Sequence, residues 1–162
     1  MAIEVFEGDT TVEGCKVGIV VSKWNSMITD KMLDGALKAL KGNGVLEENI
    51  VVARCPGSYE IPLAVQKLLE KRELDGVIAL GVVIRGGTPH FEYVCDAVNR
   101  GITDLILKHN KPVAFGVLTT DDVQQALERA GDKGNKGGEA ALAVLEMISL
   151  DKKLSPDTIN LP

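Results

Sequence analysis

Residues 85–90, Arg-Gly-Gly-Thr-Pro-His, combine residue types that can bind an anion and move a proton. The two glycines let backbone amides approach a phosphate at the positively polarised start of a helix predicted from about Phe91. The imidazole of His90 can both donate and accept protons near neutral pH. The segment therefore predicts a phosphate cradle, with Gly87 and Thr88 in it, beside a proton-transfer group. A flexible turn followed by a solvent-facing histidine is the alternative, and the spacing alone does not separate the two.

Trp24 is the single tryptophan of the chain and lies in a loop, between Lys23 and Asn25, after an apolar run. In that position one face of the indole can stack on a planar heterocycle. A lid packed on the core is the other interpretation, and it is the commoner arrangement for an aromatic side chain. Because ligands of open α/β sheets bind at this edge, both interpretations stay open.

Charged side chains add candidate contacts for a phosphorylated or hydroxylated ligand. Glu60 precedes Pro62 in the first turn of a predicted helix, where the helix dipole favours a carboxylate that can also accept hydrogen bonds from ligand hydroxyls. Arg85 and Arg129 are candidate phosphate clamps, although an isolated arginine is more often a surface residue paired with a carboxylate. His109 lies at the far end of a predicted helix, which favours a structural role for it.

Four short apolar runs rich in β-branched residues predict strands. They cover residues 17–21, 50–54, 76–81 and 113–118. Because the runs are nearly all apolar rather than alternating, they predict a parallel sheet that helices cover on both faces. The loops that leave the carboxyl ends of these strands are the candidate ligand sites.

Stretches with helical apolar spacing separate the strands. They predict helices around 33–40, from about 62, from about 91 to 110, from 123 after a cap at Asp121 or Asp122, and after the glycine-rich stretch 131–138. Alternating strands and helices imply right-handed crossovers. We therefore predict an α/β fold: a three-layer sandwich with a four-stranded parallel sheet flanked by helices, in a flavodoxin-like topology.

The sequence is expected to form a single domain over residues 1–162, with an N-terminal arm at 1–12 and a loose polar tail at 152–162. Residues 3–6 of the arm have a strand-like pattern and could pair at a sheet edge or with a neighbouring chain. No apolar stretch approaches the ~18 residues of a membrane span, and the first residues lack a signal-peptide pattern. A cytoplasmic location without a membrane partner is expected.

Composition argues against several classes of protein. Lys and Arg number 18 against 23 Asp and Glu, with a net charge of -5, so a nucleic-acid partner is not expected. Three cysteines outside any Cys-x-x-Cys pair are typical of reduced thiols. With only two histidines in the chain, no metal site is predicted.

Five ordered motifs together resemble the lumazine synthase family. They are residues 57–62 (Gly-Ser-Tyr-Glu-Ile-Pro), 81–90 (ending Arg-Gly-Gly-Thr-Pro-His), 115–119 (Phe-Gly-Val-Leu-Thr), 125–131 (Gln-Ala-Leu-Glu-Arg-Ala-Gly) and 134–137 (Gly-Asn-Lys-Gly). The resemblance extends from about residue 6 to residue 150, so it covers nearly the whole chain.

The resemblance implies the penultimate step of riboflavin biosynthesis, without a metal or cofactor. In that step 5-amino-6-(ribitylamino)uracil condenses with 3,4-dihydroxy-2-butanone 4-phosphate, giving 6,7-dimethyl-8-ribityllumazine, orthophosphate and water. His90 would transfer protons and Arg129 would clamp phosphate. Substrate-binding positions implied by the resemblance are Trp24, Asn25, Ser58, Tyr59, Glu60, Val82, Val83, Ile84, Gly87, Thr88, Phe115 and Lys136.

The resemblance also implies a site shared between chains. Phe115 and Arg129 would come from an adjacent subunit, with Lys136 nearby, so a homo-pentamer is the smallest assembly expected. A shell of sixty subunits, which could enclose riboflavin synthase, is the larger one. Trp24 stands where many relatives have Phe. The loop at 131–135 is one residue shorter than in members that form the shell, which leaves the assembly size open.

Two non-catalytic alternatives share the predicted fold. One is a flavin or nucleotide binder, but a flavodoxin would place a Ser/Thr/Gly-rich phosphate loop after its first strand, and residues 22–26 contain no glycine. A receiver domain would require an acidic cluster at the same point. The other alternative is a shell-forming protein that has lost catalysis, which the retained polar site residues disfavour.

Overall fold

A computed structural model describes residues 2–155 of the chain. Four strands form one parallel sheet in this part: β1 (Val17–Ser22), β2 (Ile50–Cys55), β3 (Gly76–Ile84) and β4 (Val113–Thr120). Their order across the sheet is β2-β1-β3-β4. Each neighbouring pair is in parallel register, with Val17 opposite both Ile50 and Gly76, and Val77 opposite Val113. The predicted four-stranded parallel sheet is confirmed.

Five α-helices cover the two faces of the sheet in the described residues: α1 (Ser26–Gly42), α2 (Ile61–Lys71), α3 (His90–His109), α4 (Val123–Arg129) and α5 (Lys136–Leu154). Helices α1, α4 and α5 bury their apolar residues in one core, and α2 and α3 in another. The side chains of a strand alternate between faces, so Ile78 and Leu80 enter the first core while Val77 and Ala79 enter the second. This is the predicted three-layer α/β sandwich.

The outer strands are less buried than their apolar sequences predicted. β1 is buried along its whole length and β3 nearly so, whereas β2 alternates between intermediate and exposed residues, with Val52 41% exposed. On β4, Phe115 is 46% exposed. The prediction of burial on both faces is therefore wrong for β2 and for part of β4, because these strands lie at the edges of the sheet, where a helix layer covers them incompletely.

Several element boundaries differ from the sequence pattern. β3 extends to Ile84 and β4 to Thr120, so residues 82–84 and 119–120, expected in loops, belong to paired strands. Helix α5 begins at Lys136 rather than after 138, because the Asn135 side chain caps it. The same helix continues to Leu154, so the first part of the expected loose tail is helical. The rest of that tail, residues 156–162, lies outside the described residues.

The N-terminal arm forms no strand within residues 2–16 of the described chain. Its anchor is Asp9, whose amide donates to Ser149 Oγ at 2.9 Å and whose carboxylate pairs with Lys153 at 2.9 Å. Ile3 and Val5 are 88% and 79% exposed. The strand expected at residues 3–6 is therefore not formed on the chain's own sheet, and pairing with a neighbouring chain stays a prediction. No helix among the described residues is long and apolar enough to cross a membrane.

Candidate active site

A cleft of about 470 Å³ lies at the carboxyl ends of the strands, and we call it the first cleft. It is where parallel α/β sheets bind their ligands. The structure brings Trp24 and His90, which are 66 positions apart in the sequence, to this single cleft. Its lining consists of Trp24, Asn25, Ser58, Tyr59, Glu60, Val82, Val83, Ile84, His90, Tyr93 and Val94.

Backbone hydrogen bonds fix the turn that carries Trp24. The amide of Trp24 donates to the Pro56 carbonyl at 2.9 Å, which ties the loop after β1 to the loop after β2. Asn25 then adopts the left-handed conformation, with φ at 60°, and leads directly into α1. Asparagine tolerates this conformation better than other residues with a side chain. The indole is 64% exposed, so it is not the core lid of the alternative interpretation.

The indole of Trp24 packs on the backbone of Gly57. A Cβ at position 57 would lie 2.3 Å from Trp24 Cε3. We therefore expect Gly57→Ala to displace the ring and shift the emission of the only tryptophan. Since an exposed ring can swing into solvent, the free energy of unfolding should change by less than about 1 kcal/mol. Fluorescence spectra and thermal unfolding of the purified variant measure the two effects.

Gly42→Ala is the matched control for that substitution. Gly42 lies at the end of α1, and a Cβ there would have nothing within 4 Å. Its emission spectrum should match that of the unmodified protein. An unchanged spectrum in Gly57→Ala would show that Gly57 does not set the position of Trp24.

The segment after β2 places its polar groups by short-range hydrogen bonds. Ser58 is buried, and its hydroxyl donates to the Val82 carbonyl on β3 at 3.1 Å. Glu60 Oε2 accepts from the Gly57 amide at 3.0 Å, the predicted favourable position at a helix start. Tyr59 is 62% exposed. This segment therefore presents a phenol and a carboxylate to the cleft from a turn pinned to β3.

Cys55 lies beneath this turn and does not supply a nucleophile. Burial, followed by the charge of Glu60, raises the pKa of the Cys55 thiol to about 11. The thiol donates a weak hydrogen bond to the Gly57 carbonyl at 3.5 Å. A protonated thiol at neutral pH acts as a small apolar side chain. All three cysteines are free, as the sequence predicted.

The predicted phosphate cradle leads into α3 as expected from the sequence. His90 is the first residue of α3 and is exposed. Gly86 and Gly87 are exposed, and a Cβ on either would have nothing within 4 Å. Neither glycine has a positive φ, so the backbone is not strained there. Gly87 and Thr88 are not among the residues that line the first cleft; they are open to solvent beside His90.

Arg85 is held by carboxylates, which is the second of the two interpretations offered by the sequence. It pairs with Glu92 on α3 and with Asp121 after β4, the latter at 3.1 Å. Its guanidinium also lies 4.3 Å from the centre of the Phe91 ring. Hydrogen bonds to Glu92 and then Asp121 raise the pKa of Arg85 further. Arg85 thus links the segment after β3 to α3 and to the residue after β4.

The remaining predicted site residues lie in a second cleft, of about 410 Å³, against β4 and α5. Phe115 extends from β4, Arg129 ends α4 and Lys136 begins α5. Arg129 Nη1 donates to the Gln125 carbonyl at 2.9 Å, and Lys136 pairs with Glu139 at 2.8 Å. None of these residues lines the first cleft. One chain therefore carries two separate groups of candidate residues.

Sequence reasoning missed lining residues of both clefts, among them three that helical spacing could have indicated. Tyr93 and Val94 line the first cleft and follow His90 by one helical turn, so the spacing of three and four residues on α3 was the available signal. Glu139 lines the second cleft and could have been found by the same spacing from Lys136. Within residues 2–155, no group of three or more His, Cys, Asp or Glu side chains is arranged to hold a metal ion.

A comparison with protein families finds a match over most of the chain. The model of one family, described as 6,7-dimethyl-8-ribityllumazine synthase, matches residues 14–152. The matched range begins before β1 and ends near the end of α5, so it includes the sheet and all the residues of both clefts.

Proposed function

The chain belongs to the 6,7-dimethyl-8-ribityllumazine synthase family of riboflavin biosynthesis, and from this we propose that it catalyses the family's condensation. The substrates are 5-amino-6-(ribitylamino)uracil and 3,4-dihydroxy-2-butanone 4-phosphate. The products are 6,7-dimethyl-8-ribityllumazine, orthophosphate and water. The observation that supports this proposal most is the joint lining of the first cleft by an exposed indole, a carboxylate and an imidazole.

The first cleft has the groups that a pyrimidine with a polyol chain requires. Trp24 stacks on the flat ring, since its indole is largely exposed at the cleft. Ser58, Tyr59 and Glu60 face the ribityl hydroxyls as donors and acceptors. Backbone groups at the end of β3 recognise the edge of the pyrimidine ring, because Val82, Val83 and Ile84 line the same cleft. Asn25 lines this cleft as well. Gly87 and Thr88 meet the phosphorylated substrate next to His90.

His90 relays the protons of the reaction. The 5-amino nitrogen attacks the ketone, and the resulting carbinolamine loses water. Phosphate then leaves, the enol tautomerises, and attack of the second amine on the remaining carbonyl closes the ring with loss of a second water. Each step moves a proton, and one imidazole at the cleft can donate or accept it. Because both substrates are reactive, holding them together supplies much of the acceleration.

The second cleft completes the site of a neighbouring chain. Phosphate departure needs fixed positive charge, which Arg129 and Lys136 carry in a cleft separate from His90. Phe115, 46% exposed at the edge of the sheet, closes over the bound ring of the adjacent subunit. A ring of identical chains pairs each first cleft with the next chain's second cleft. The family resemblance implies five chains in the smallest such ring, and we propose a homo-pentamer on that ground.

Incubation of the purified protein with both substrates tests the proposed reaction. The lumazine product should appear as fluorescence together with stoichiometric orthophosphate. A protein that binds the pyrimidine without forming product would be the non-catalytic flavin or nucleotide binder instead. A native mass that shows a large assembly, together with neither turnover nor substrate binding, would identify a shell protein. Either result would contradict the proposed catalysis.

Mixed assemblies test whether two chains share the site. His90→Ala damages only the first cleft and Arg129→Ala only the second. The two variants are unfolded and reassembled in equal amounts. We expect recovery of about a quarter of the wild-type activity, because in that fraction of random neighbouring pairs an intact first cleft meets an intact second cleft. The rate of lumazine formation measures it.

The control for this experiment is a mixture of the two variants assembled separately. Its rate should equal the mean of the parent rates. If the reassembled mixture is no more active than this control, while its native mass shows mixed oligomers, then each chain uses its own two clefts and the shared site is wrong.

A further inference from the structure

We propose that Asn135 is a positioning residue that holds Arg129 and Lys136 in the second cleft and so sets the affinity for the phosphorylated substrate. This inference rests on the proposed function, and it concerns a residue that lines neither of the two clefts. Asn135 precedes Lys136 directly and follows Arg129 by six positions.

The Asn135 amide joins three elements at one point. Its Nδ2 donates to the Lys31 carbonyl on α1 at 3.1 Å and to the Ala130 carbonyl at the end of α4 at 2.9 Å. Its Oδ1 accepts from the Gly138 amide in the first turn of α5 at 3.1 Å. Both polar atoms of the side chain are therefore bonded to the backbone, which fixes its orientation.

The Asn135 amide is packed so closely that it has no space to adopt another orientation. A Cβ on Gly35 of α1 would lie 2.3 Å from Asn135 Oδ1. Helix α1 therefore approaches the Asn135 amide at Gly35, where the helix has no side chain. A longer side chain at 135 could not enter this space without moving α1.

The two bonds donated by Nδ2 act on the segment between the two cations. Ala130 is the residue after Arg129, so the bond to its carbonyl closes the loop 130–135 at the base of the guanidinium. The bond to Lys31 ties the same loop to α1. The bond that Asn135 Oδ1 accepts from the Gly138 amide instead caps α5, beyond Lys136. Loss of the donated bonds should let the two cations move relative to each other while α5 stays capped.

Asn135→Ser separates these two roles. A serine hydroxyl caps a helix about as well as an asparagine amide, carries no charge and is too short to reach both carbonyls. We expect a KM for the butanone phosphate about fivefold higher, which corresponds to the loss of one to two net hydrogen bonds. The KM for the pyrimidine should stay within about twofold, because the first cleft is on other elements.

Asn43→Ser is the matched control. Asn43 directly follows α1, and its Nδ2 also donates to a backbone carbonyl, that of Ala39, at 2.8 Å. It has no bond to the elements that carry Arg129 or Lys136, so neither KM should change. Thermal unfolding and native mass of both variants show whether the chains fold and assemble alike.

Binding of inorganic phosphate gives a readout that does not need turnover. Titration should show the Kd for phosphate about fivefold weaker in Asn135→Ser than in the unmodified protein. If the unmodified protein binds phosphate but makes no lumazine, the proposed function fails while the role of Asn135 is still measured. An Asn135→Ser protein that folds and assembles yet keeps both its phosphate Kd and its KM overturns the inference, as does an equal rise in both KM values.

Discussion

Replacement of Arg129 by Ala is expected to lower kcat/KM for the condensation by about 100-fold or more, comparable to the removal of a fixed charge-stabilising donor from other active sites. Arg129 ends α4 with its guanidinium in the second cleft. Lys136, the other cation there, is paired with Glu139 at 2.8 Å and is a point charge without the planar fork of arginine. Lys136 can therefore replace only part of the stabilisation that Arg129 gives to the departing phosphate.

His90→Ala should lower kcat/KM by less than Arg129→Ala does. The expected loss is below ~100-fold, which is the lower end of the contribution of general acid–base catalysis. His90 is exposed at the start of α3, so water can take over part of the proton transfer in its absence. Because the amine and the ketone are reactive once held together, the first cleft keeps its positioning effect without the imidazole.

Steady-state rates of the two variants with both substrates measure this order. Arg129→Lys keeps the charge and loses the bidentate geometry, so it should fall between Arg129→Ala and the unmodified protein. Arg72→Ala is the control, since Arg72 is an exposed cation at the end of α2, away from both clefts. A greater loss in His90→Ala than in Arg129→Ala would reverse the proposed division of roles.

The sheet and its layers could be predicted because burial on both faces leaves a strong local signal. Val17, Ile19 and Val20 of β1 are fully buried, and the prediction of a parallel strand covered on both faces required only their apolar, β-branched types. Edge strands carry a similar composition, so nothing in the run 50–54 distinguished β2 from a central strand. Whether a strand is central or at an edge follows from the order of strands in the sheet, and that order depends on the whole chain.

Element ends depended on contacts distant in the sequence. β3 continues to Ile84 because Ile84 pairs with Thr120 of β4, 36 positions later. The ion pairs of Arg85 depended on such contacts in part, since one of its two partners is Asp121, 36 positions later in the sequence. The start of α5 depended on the Asn135 cap, which a glycine-rich stretch concealed.

The two halves of the candidate site were unequally accessible to sequence reasoning. Residues after β1, β2 and β3 meet in the first cleft because parallel strands bring their carboxyl ends to one edge, which topology alone predicts. Phe115, Arg129 and Lys136 follow no such rule and lie apart from His90 in the single chain. The expectation that they complete the same site came only from the family resemblance, because a contact between chains would leave no periodic signal within one chain.

Replacement of Gly137 by Ala is expected to cause the largest loss of stability among the glycine-to-alanine substitutions of this chain. A Cβ at Gly137 in α5 would lie 1.9 Å from the Met32 carbonyl oxygen and 2.6 Å from its carbonyl carbon on α1. Both contacts are with backbone, so no side chain can rotate away. The two helices would have to separate along the core that includes Met32 and Leu145, both fully buried.

Overpacking of this kind costs typically 1 to 3 kcal/mol, and the rigid backbone contact at Gly137 places it at about 3 kcal/mol or above. Gly138→Ala is the matched control on the same helix, since its Cβ would meet the Gly35 carbonyl group at ordinary contact distances, 3.4 Å to its oxygen and 3.8 Å to its carbon. Alanine favours the helix over glycine by about 0.5 to 1 kcal/mol, so Gly138→Ala should be neutral or stabilising. Urea unfolding at one fixed protein concentration compares the two variants, because the proposed assembly would make stability depend on concentration. Equal midpoints would show that α1 and α5 can separate at this point without a loss of stability.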